Sequence, residues 1–575
     1  MRLVLNGKSL FSWGTVSSFW VSGQMNVIER KMDCVTKIKG FYIGLPLLIA
    51  LLIGGCGQQD RTGSGADDLA PTIDLGATIG SLIKTLPPEP IPVAGYGLVS
   101  GLKGTGSAEC PPQVRDYLKQ YILKQLPANK GLDVEKFINS PDTAVVLVEG
   151  IIPPIPSKNE YFDVRVTAFP NTQTTSLEGG RLFVTDLKIA GSFGKSTRNL
   201  ADVEGPIFID KISSSKVDKR LGYILAGGKV LDEYKLVLEL TKPDFTTTNS
   251  IRNRLNGRFG RATARAIVPG RIELSVPDKY REQKQRFISI VKAMYIAQRP
   301  EVIEERINTF VRRLAGSEDK YASEVALEAI GNKCLGKLSV LLRLSNNQVR
   351  FHAARCMLNL GSDDGFLALR EIALDKNSAY RFEALESITI AANRSDTAMI
   401  SRKLLRDDDF DIRLAACEQL RKLDDITIEQ EPIARSFYLE RITQTEYKTI
   451  FVSRSGQPRI VILGSPINCN RNIFLQSADG DITINSPADQ EYVTIIRKHP
   501  KRSSVIAKLN SSFEVGDIIR TLCEEPLKEE EKGSGGLGAS YADMIALLKQ
   551  MCDVGVIRAE FRAGPLPKIG LIIKK

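Results

Sequence analysis

Asn346-Asn347-Gln348-Val349-Arg350-Phe351-His352-Ala353-Ala354, Asn377-Ser378-Ala379-Tyr380-Arg381-Phe382-Glu383-Ala384-Leu385 and Asp409-Phe410-Asp411-Ile412-Arg413-Leu414-Ala415-Ala416 are variants of one pattern. Their arginines, at 350, 381 and 413, are 31 and 32 residues apart. A polar start, an apolar residue, an arginine and then alanines is what a stacked helix pair needs. The small residues let neighbouring helices approach, and each repeat buries its face on the next. Residues 317–425 therefore read as an all-α helical-repeat insert; an irregular helical insertion is the alternative.

On either side of this block the apolar period shortens to two. Phe162, Val164, Val166 and Ala168 alternate with Asp163, Arg165 and Thr167, which predicts a half-buried strand over 160–168. Thr143–Glu149 reads as a buried strand, and Val114–Leu126 has helical spacing. Leu236, Leu238 and Leu240 predict another strand. A Thr-rich cap at 246–248 then opens a helix with Ile251, Leu255 and Phe259 on one face, stopped at Gly260. Ile272, Leu274 and Val276 make a further strand, followed by a helix over Lys279–Ala297. The fold class is α+β, interrupted by the all-α insert. A chain of 575 residues, 43% hydrophobic and 25% charged, has material for about three to four domains.

The N-terminus reads as an export signal. Lys37 and Lys39 precede an apolar run from Phe41 to Ile53, which ends at Gly54-Gly55-Cys56. That run is too short to span a membrane and has the basic, apolar, small-residue order of a secretory signal. Residues 1–55 are thus assigned to a signal, with 32–55 the signal proper and Met25 or Met32 the true start. Cys56 ends a lipobox-like sequence and is the expected lipidation site. Several acyl chains, at about 0.8 kcal/mol per buried CH₂, hold a protein at a bilayer; a plain signal peptide is the alternative. Gly57 after the cysteine resembles outer-membrane sorting. Residues 56–90, rich in Gly, Asp, Pro and Thr, read as a lipid-anchored tether.

Charge and cysteines narrow the function. The net charge is +11, of which the first 55 residues supply six basic and two acidic groups, leaving roughly +7 on the rest. So small an excess over so long a chain suits anionic envelope surfaces and excludes a nucleic-acid footprint. The nine cysteines show no CxxC pair and no metal-ligand spacing. Cys334, Cys356 and Cys417 read as buried thiols. Cys110, Cys469, Cys523 and Cys552 are the disulfide candidates in an oxidising compartment.

No catalytic or cofactor constellation can be assembled. With His352 and His499 alone, there is no histidine-based triad or zinc site. Asp163 and Glu178 are lone acids. Gly95 and Gly97 are followed by Ser100, which breaks the dinucleotide spacing, and Gly228-Lys229 continues with Val230. The glycine-rich run predicts tight turns with positive φ at Gly104 and Gly106. The chain reads as no enzyme, with no cofactor and no metal. Arg254, Arg258 and Arg261, at i, i+4 and i+7, form the densest helical basic stripe. It reads either as a contact for peptidoglycan carboxylates or an acidic neighbouring subunit, or as an ordinary solvated face.

Ala94 to Gly106 and Gly538 to Met551 resemble signature segments of the flagellar basal-body P-ring protein family. So do Asp142–Pro154, Tyr161–Lys188 with its Ser176-Leu177-Glu178-Gly179-Gly180, Pro243-Asp244-Phe245, Arg271–Pro277, Val452-Ser453-Arg454-Ser455-Gly456 and Phe513–Leu522. The likeness runs over about 91–300 and 435–565 and lacks the insert, which is itself similar to HEAT repeats. Residues 91–316 and 426–575 are accordingly assigned to P-ring-like regions. The resemblance implies a structural homo-oligomeric ring in the periplasm, set around the flagellar rod at the peptidoglycan layer with an L-ring partner outside. It also implies a Cys469–Cys552 disulfide: Cys469 falls near a family cysteine, and Cys552 lies four residues before the position of the other, here Val556. The acidic, glycine-rich Glu524–Gly536 run reads as a mobile loop. The lipid anchor and the insert depart from the family, and the alternative is a non-flagellar envelope lipoprotein acting as a scaffold through its repeats.

Overall fold

The computed structural model describes residues 75–84, 89–125, 133–192, 198–213, 216–316, 319–499, 502–526 and 535–569. Cys56, the signal and most of the tether lie outside the described residues, as does most of the loop after Glu524. Among the described residues no helix is long and apolar enough to cross a membrane.

Six strands close an antiparallel barrel. They are β2 (Ile91–Ser100), β3 (Thr143–Ile152), β4 (Tyr161–Ala168), β5 (Arg181–Ile189), β6 (Ala201–Pro206) and β7 (Leu221–Val230), in the order β2-β3-β4-β7-β6-β5. The glycines of β2 permit the closure. A Cβ on Gly95 would meet the carbonyl oxygen of Asp186 at 2.3 Å, and one on Gly97 would meet Thr185 Oγ1 at 2.5 Å. The barrel is filled by Val93, Val99, Val146, Val148, Val164, Val166, Leu182 and Leu187. Past β2 the chain turns through left-handed Gly101, Lys103 and Gly104. Gly106 differs from the expectation: it is absent from the left-handed region, and glycine is required there because a Cβ would come 2.1 Å from the oxygen of Thr143. Helices α2 (Pro112–Gln125) and α3 (Val134–Ile138) cover one flank through Val114, Leu118 and Ile138.

A second sheet, β1-β8-β10-β9, joins β1 (Ile83–Lys84), β8 (Leu236–Leu240), β9 (Ala264–Val268) and β10 (Arg271–Leu274). Its core also takes residues from α1 (Ile79–Leu82), α4 (Phe245–Phe259) and α5 (Lys284–Ala293). Residues 75–84, expected in the tether, are folded: Ile79 and Ile83 are buried, β1 pairs with β8, and Arg306 donates to the oxygen of Leu75 at 2.8 Å. Asp244, not the threonines after it, caps α4 by accepting the N–H of Thr247. The helix expected over Lys279–Ala297 is broken into a 3₁₀ turn at Asp278–Tyr280 and α5.

Eight helices follow: α6 (Pro300–Gly316), α7 (Lys320–Ile330), α8 (Leu335–Leu341), α9 (Asn347–Asn359), α10 (Asp363–Leu374), α11 (Arg381–Ala391), α12 (Arg394–Leu404) and α13 (Phe410–Lys422). Ile303, Ile307 and Leu314 of α6 share a core with α7, α8 and α9, so the helical layer begins at Pro300, ahead of the expected residue 317. The first two repeated arginines serve the ends of preceding helices, where carbonyls lack intrahelical donors, and the third serves the loop just before its own helix. Arg350 donates to the oxygen of Leu342 (3.1 Å), Arg381 to that of Ala373 (3.4 Å), and Arg413 to those of Asp407 and Asp408 (both 2.8 Å).

The remaining chain builds two sheets. The first, β11-β12-β14-β13-β19, comprises β11 (Glu429–Ile433), β12 (Phe437–Ile442), β13 (Thr449–Val452), β14 (Arg459–Leu463) and β19 (Glu560–Ala563); it is mixed, with β12/β14 and β13/β19 parallel. Every residue of β13 and β14 is buried. Val461 and Leu463 face the helices, while Ile460 and Ile462 face α14 (Val515–Cys523) and α15 (Tyr541–Asp553), as a sheet covered on both faces requires. The second is antiparallel: β15 (Ile473–Gln476), β16 (Ile482–Ser486), β17 (Val493–His499) and β18 (Arg502–Ser511). Phe208 and Leu225, from the barrel side, enter the core of this region.

Candidate functional site, an ion-paired seam

Three of the segments that carried the sequence resemblance, Tyr161–Lys188, Val452–Gly456 and Gly538–Met551, meet where the barrel packs on the C-terminal sheets. Lys211, in the loop after β6, points its ammonium at three carboxylates. It pairs with Glu178, lies 2.6 Å from Asp543 and lies 3.7 Å from Asp479. Each carboxylate comes from a different local structure. Glu178 sits in the turn before left-handed Gly179, with its N–H bonded to Ser176 Oγ. Asp479 lies in the β15–β16 turn, and Asp543 in the first turn of α15. Ser540 and Asp543 form a reciprocal capping box, so Asp543 serves the helix start and Lys211 together.

The electrostatics follow from partial burial. Burial alone disfavours the Lys211 ammonium, but Asp543 and Glu178 outweigh it and raise its pKa above the usual lysine value. Burial likewise opposes ionisation of Glu178, while Lys211 and Lys219 hold its carboxyl below the usual range. Lys103, beside this group on the turn after β2, is pushed down by burial and by Arg497. Glu178, Asp479 and Asp543 present oxygens within 4.8 Å of one another, the spacing of a cation site, and the cation they hold is the lysine ammonium.

Three further clamps lock the seam. Asp163, on β4, accepts the N–H of Gly456 at 2.9 Å and of Ala226 at 2.7 Å. Arg454 reaches Asp210 at 3.3 Å, pairs with Ser213 and donates to the oxygen of Gly564 at 2.7 Å. Tyr541, buried at the start of α15, places its hydroxyl 2.7 Å from the carbonyl oxygens of Ser453 and Arg459 and accepts the N–H of Arg459 at 3.1 Å. Its ring packs on Phe437 and Phe208, with centroids 5.0 and 5.9 Å apart. Asp163 and Glu178, the two acids considered for chemistry, are thus engaged in joining elements. Lys211, Asp210, Asp479 and Arg497 had no signal in the sequence, being lone charges in loops or on a strand.

The other expected residues lie elsewhere. Arg254 and Arg258 are half-buried with partners in their own chain: Arg254 donates to the oxygen of Tyr295 (3.3 Å), and Arg258 to that of Glu328 at the end of α7 (3.1 Å). Arg261 is exposed beyond the end of α4, because Gly260 turns the chain at φ +108°. The three do not form one outward stripe. Cys469 and Cys552 are both free thiols. Burial, then the nearby Cys552, pushes Cys469 up to about 12, and burial pushes Cys552 up to about 11. Cys334, Cys356 and Cys417 are buried.

Comparison with known proteins bears on the barrel side of this seam. Residues 88–313 match the family model described as Flagellar P-ring protein. The chain is 31% identical over 235 residues to the Flagellar P-ring protein of Anaeromyxobacter dehalogenans (strain 2CP-C), an alignment covering 38% of this chain and 60% of that one. It is 30% identical over 217 residues to that of Thermotoga maritima, covering 35% and 61%. Against that of Desulfotalea psychrophila it is 26% identical over 239 residues, covering 38% and 58%. The chain spans about three-fifths of the length of these relatives, and the matched residues stop before the repeated helices and the C-terminal sheets. Residues 88–313, which hold the barrel and most of the second sheet, are therefore the part of this chain that is similar to flagellar P-ring proteins.

Proposed function

We propose that the protein is a structural subunit of a flagellar P-ring, assembling with copies of itself around the rod in the periplasm at the peptidoglycan layer. The observation that carries this reading is the seam. Three segments that resemble the family, from residues 163 to 543, are spent on holding rigid elements together, with Lys211 gathering Glu178 and Asp543 from them and Asp479 beside them. A ring subunit needs that rigidity, because closure depends on each copy presenting its two contact surfaces at a fixed angle. Rod and L-ring proteins are the partners this reading implies, and acylation at Cys56 would add an outer-membrane anchor. The chain carries no catalytic task in this reading.

A second reading is favoured by the helices from Pro300 to Lys422, most of which lie beyond the matched residues. In it the chain is an envelope lipoprotein that keeps the ring fold and works as a scaffold through the helical layer. Mass spectrometry of detergent-extracted hook–basal bodies separates the two. Recovery of this chain there in ring-like stoichiometry is the expected result. Its absence, with recovery in the outer-membrane fraction, would overturn the flagellar reading in favour of the scaffold.

A further inference from the structure

Between α11 and α13 lies an open groove of about 620 Å³, within the size range of ligand sites. Its floor is apolar: Ala379, Ile412 and Ala415, with Phe382 standing half-exposed at its edge. Its cations are spent. Lys376 pairs with Asp408 at 2.9 Å and Arg381 pairs with Asp407, neither of which lines the groove. Asp409 caps α13 and Asp411 stands exposed; neither meets a cation among the described residues. Gln419 adds a buried Oε1 that no donor among the described residues reaches. The groove thus offers an apolar floor with acceptors, and it fits a surface presenting aliphatic side chains beside ammonium groups.

Such a surface exists on the same chain. On the outward face of β17–β18, Lys498 stands opposite Ile506 and Ile496 opposite Lys508, a chequerboard of two lysines and two isoleucines. Opposite residues lie about 5 Å apart and alternate residues along a strand about 7 Å, so the four form one compact patch. Ile506 is 61% exposed, and both lysines are exposed and meet no carboxylate among the described residues.

We infer that the α11–α13 groove of one copy receives the Ile496, Lys498, Ile506 and Lys508 face of the β17–β18 hairpin of a second copy. Ile506 lies against Phe382 and Ile412, and the lysines meet Asp409 and Asp411. The two patches differ, so the contact is heterologous and can propagate around a ring. This inference rests on the self-association reading above.

Sedimentation velocity of the full chain in detergent at rising concentration tests it, with melting curves to confirm folding. Asp411→Lys and the pair Lys498→Glu/Lys508→Glu are each expected to weaken self-association at least tenfold. Combined in one chain they should recover about threefold of that loss, not all of it, because Asp409 then faces a reversed charge. Phe382→Ser, at an exposed position, gives an independent weakening should Asp411→Lys loosen the start of α13. Assembly of the wild type that neither single change affects would overturn the groove contact and leave the ring reading standing. Loss in both without restoration in the combination would overturn the direct pairing. A wild type that stays monomeric throughout would overturn the inference and the self-association reading together.

Discussion

At the seam, Lys211 gathers Glu178, Asp479 and Asp543 at a boundary water still reaches, whereas at the root of the helical layer Arg286 meets Glu324 and Glu328 with both glutamates fully buried. The root is also the denser network. Glu324 accepts from Arg286, from Arg355 at 2.6 and 2.7 Å and contacts His352 Nδ1 at 2.6 Å; Glu328 accepts from Arg286 at 3.0 Å and from Tyr280 at 3.4 Å. Burial acts on both glutamates, but the outcome differs. Arg286 and Arg355 hold Glu324 well below the usual range, while burial wins at Glu328 and lifts it. A hydrated cluster can lose a member and recruit water; a sealed one cannot, so its charges are worth most when one is removed. The helices are therefore welded onto α5 and the second sheet rather than hung from them, while the seam is the joint better able to adjust.

Three substitutions and one titration probe that contrast. Arg286→Ala takes the paired cation from buried Glu328 and leaves Glu324 to Arg355 and His352, and it is expected to cost about 3–5 kcal/mol in chemical denaturation. Lys211→Ala leaves carboxylates that water can still reach and should cost less, about 2–3 kcal/mol. If Lys211→Ala proved the more damaging, burial would not be what separates the two joints. Tyr541→Phe removes one hydroxyl from the seam while keeping its ring between Phe437 and Phe208, so a loss of roughly 1–2 kcal/mol is expected by the same measurement. A loss near zero would show that the ring alone holds α15.

The smallest effect concerns the third joint, where α13 meets β12. Glu440 is buried there, 3.4 Å from Arg459, and burial pushes its carboxyl up to about 7 against the opposing pull of Arg421. A carboxyl raised on folding binds more protons folded than unfolded, so this group makes stability fall as pH rises from the ordinary glutamate range near 4.5 to about 7. Glu440→Gln should remove that slope. Unfolding free energies at pH 5 and pH 8 should differ less in the variant, by about 1–2 kcal/mol. An unchanged difference would place the pH dependence elsewhere.

Much of this architecture was legible because local periodicity reports which face of an element is dry. Leu236, Leu238 and Leu240 announced β8, and Ile251 and Leu255 announced the buried face of α4. The strand at 161–168 was legible too, but its outward face was not. Arg165 is buried against Glu149 at 2.6 Å and donates to the oxygen of Ile569, because the C-terminal segment passes over it. The basic stripe failed for the same kind of reason. Arg254 and Arg258 found carbonyls on elements that no local pattern places beside α4.

What the sequence determined by itself is the succession of elements and the positions that must be glycine or alanine. Gly95 and Gly97 are fixed by the lack of room for a Cβ, and the alanines of the repeats by the close approach of stacked helices. Only the tertiary structure decided which charges act together. Lys211 and Asp543 are 332 residues apart, and Arg286 and Glu324 are 38 apart. A charge carries no periodicity, and in solution it is satisfied by water wherever it sits. Its partner is chosen only when packed elements exclude that water and bring an opposite charge within reach.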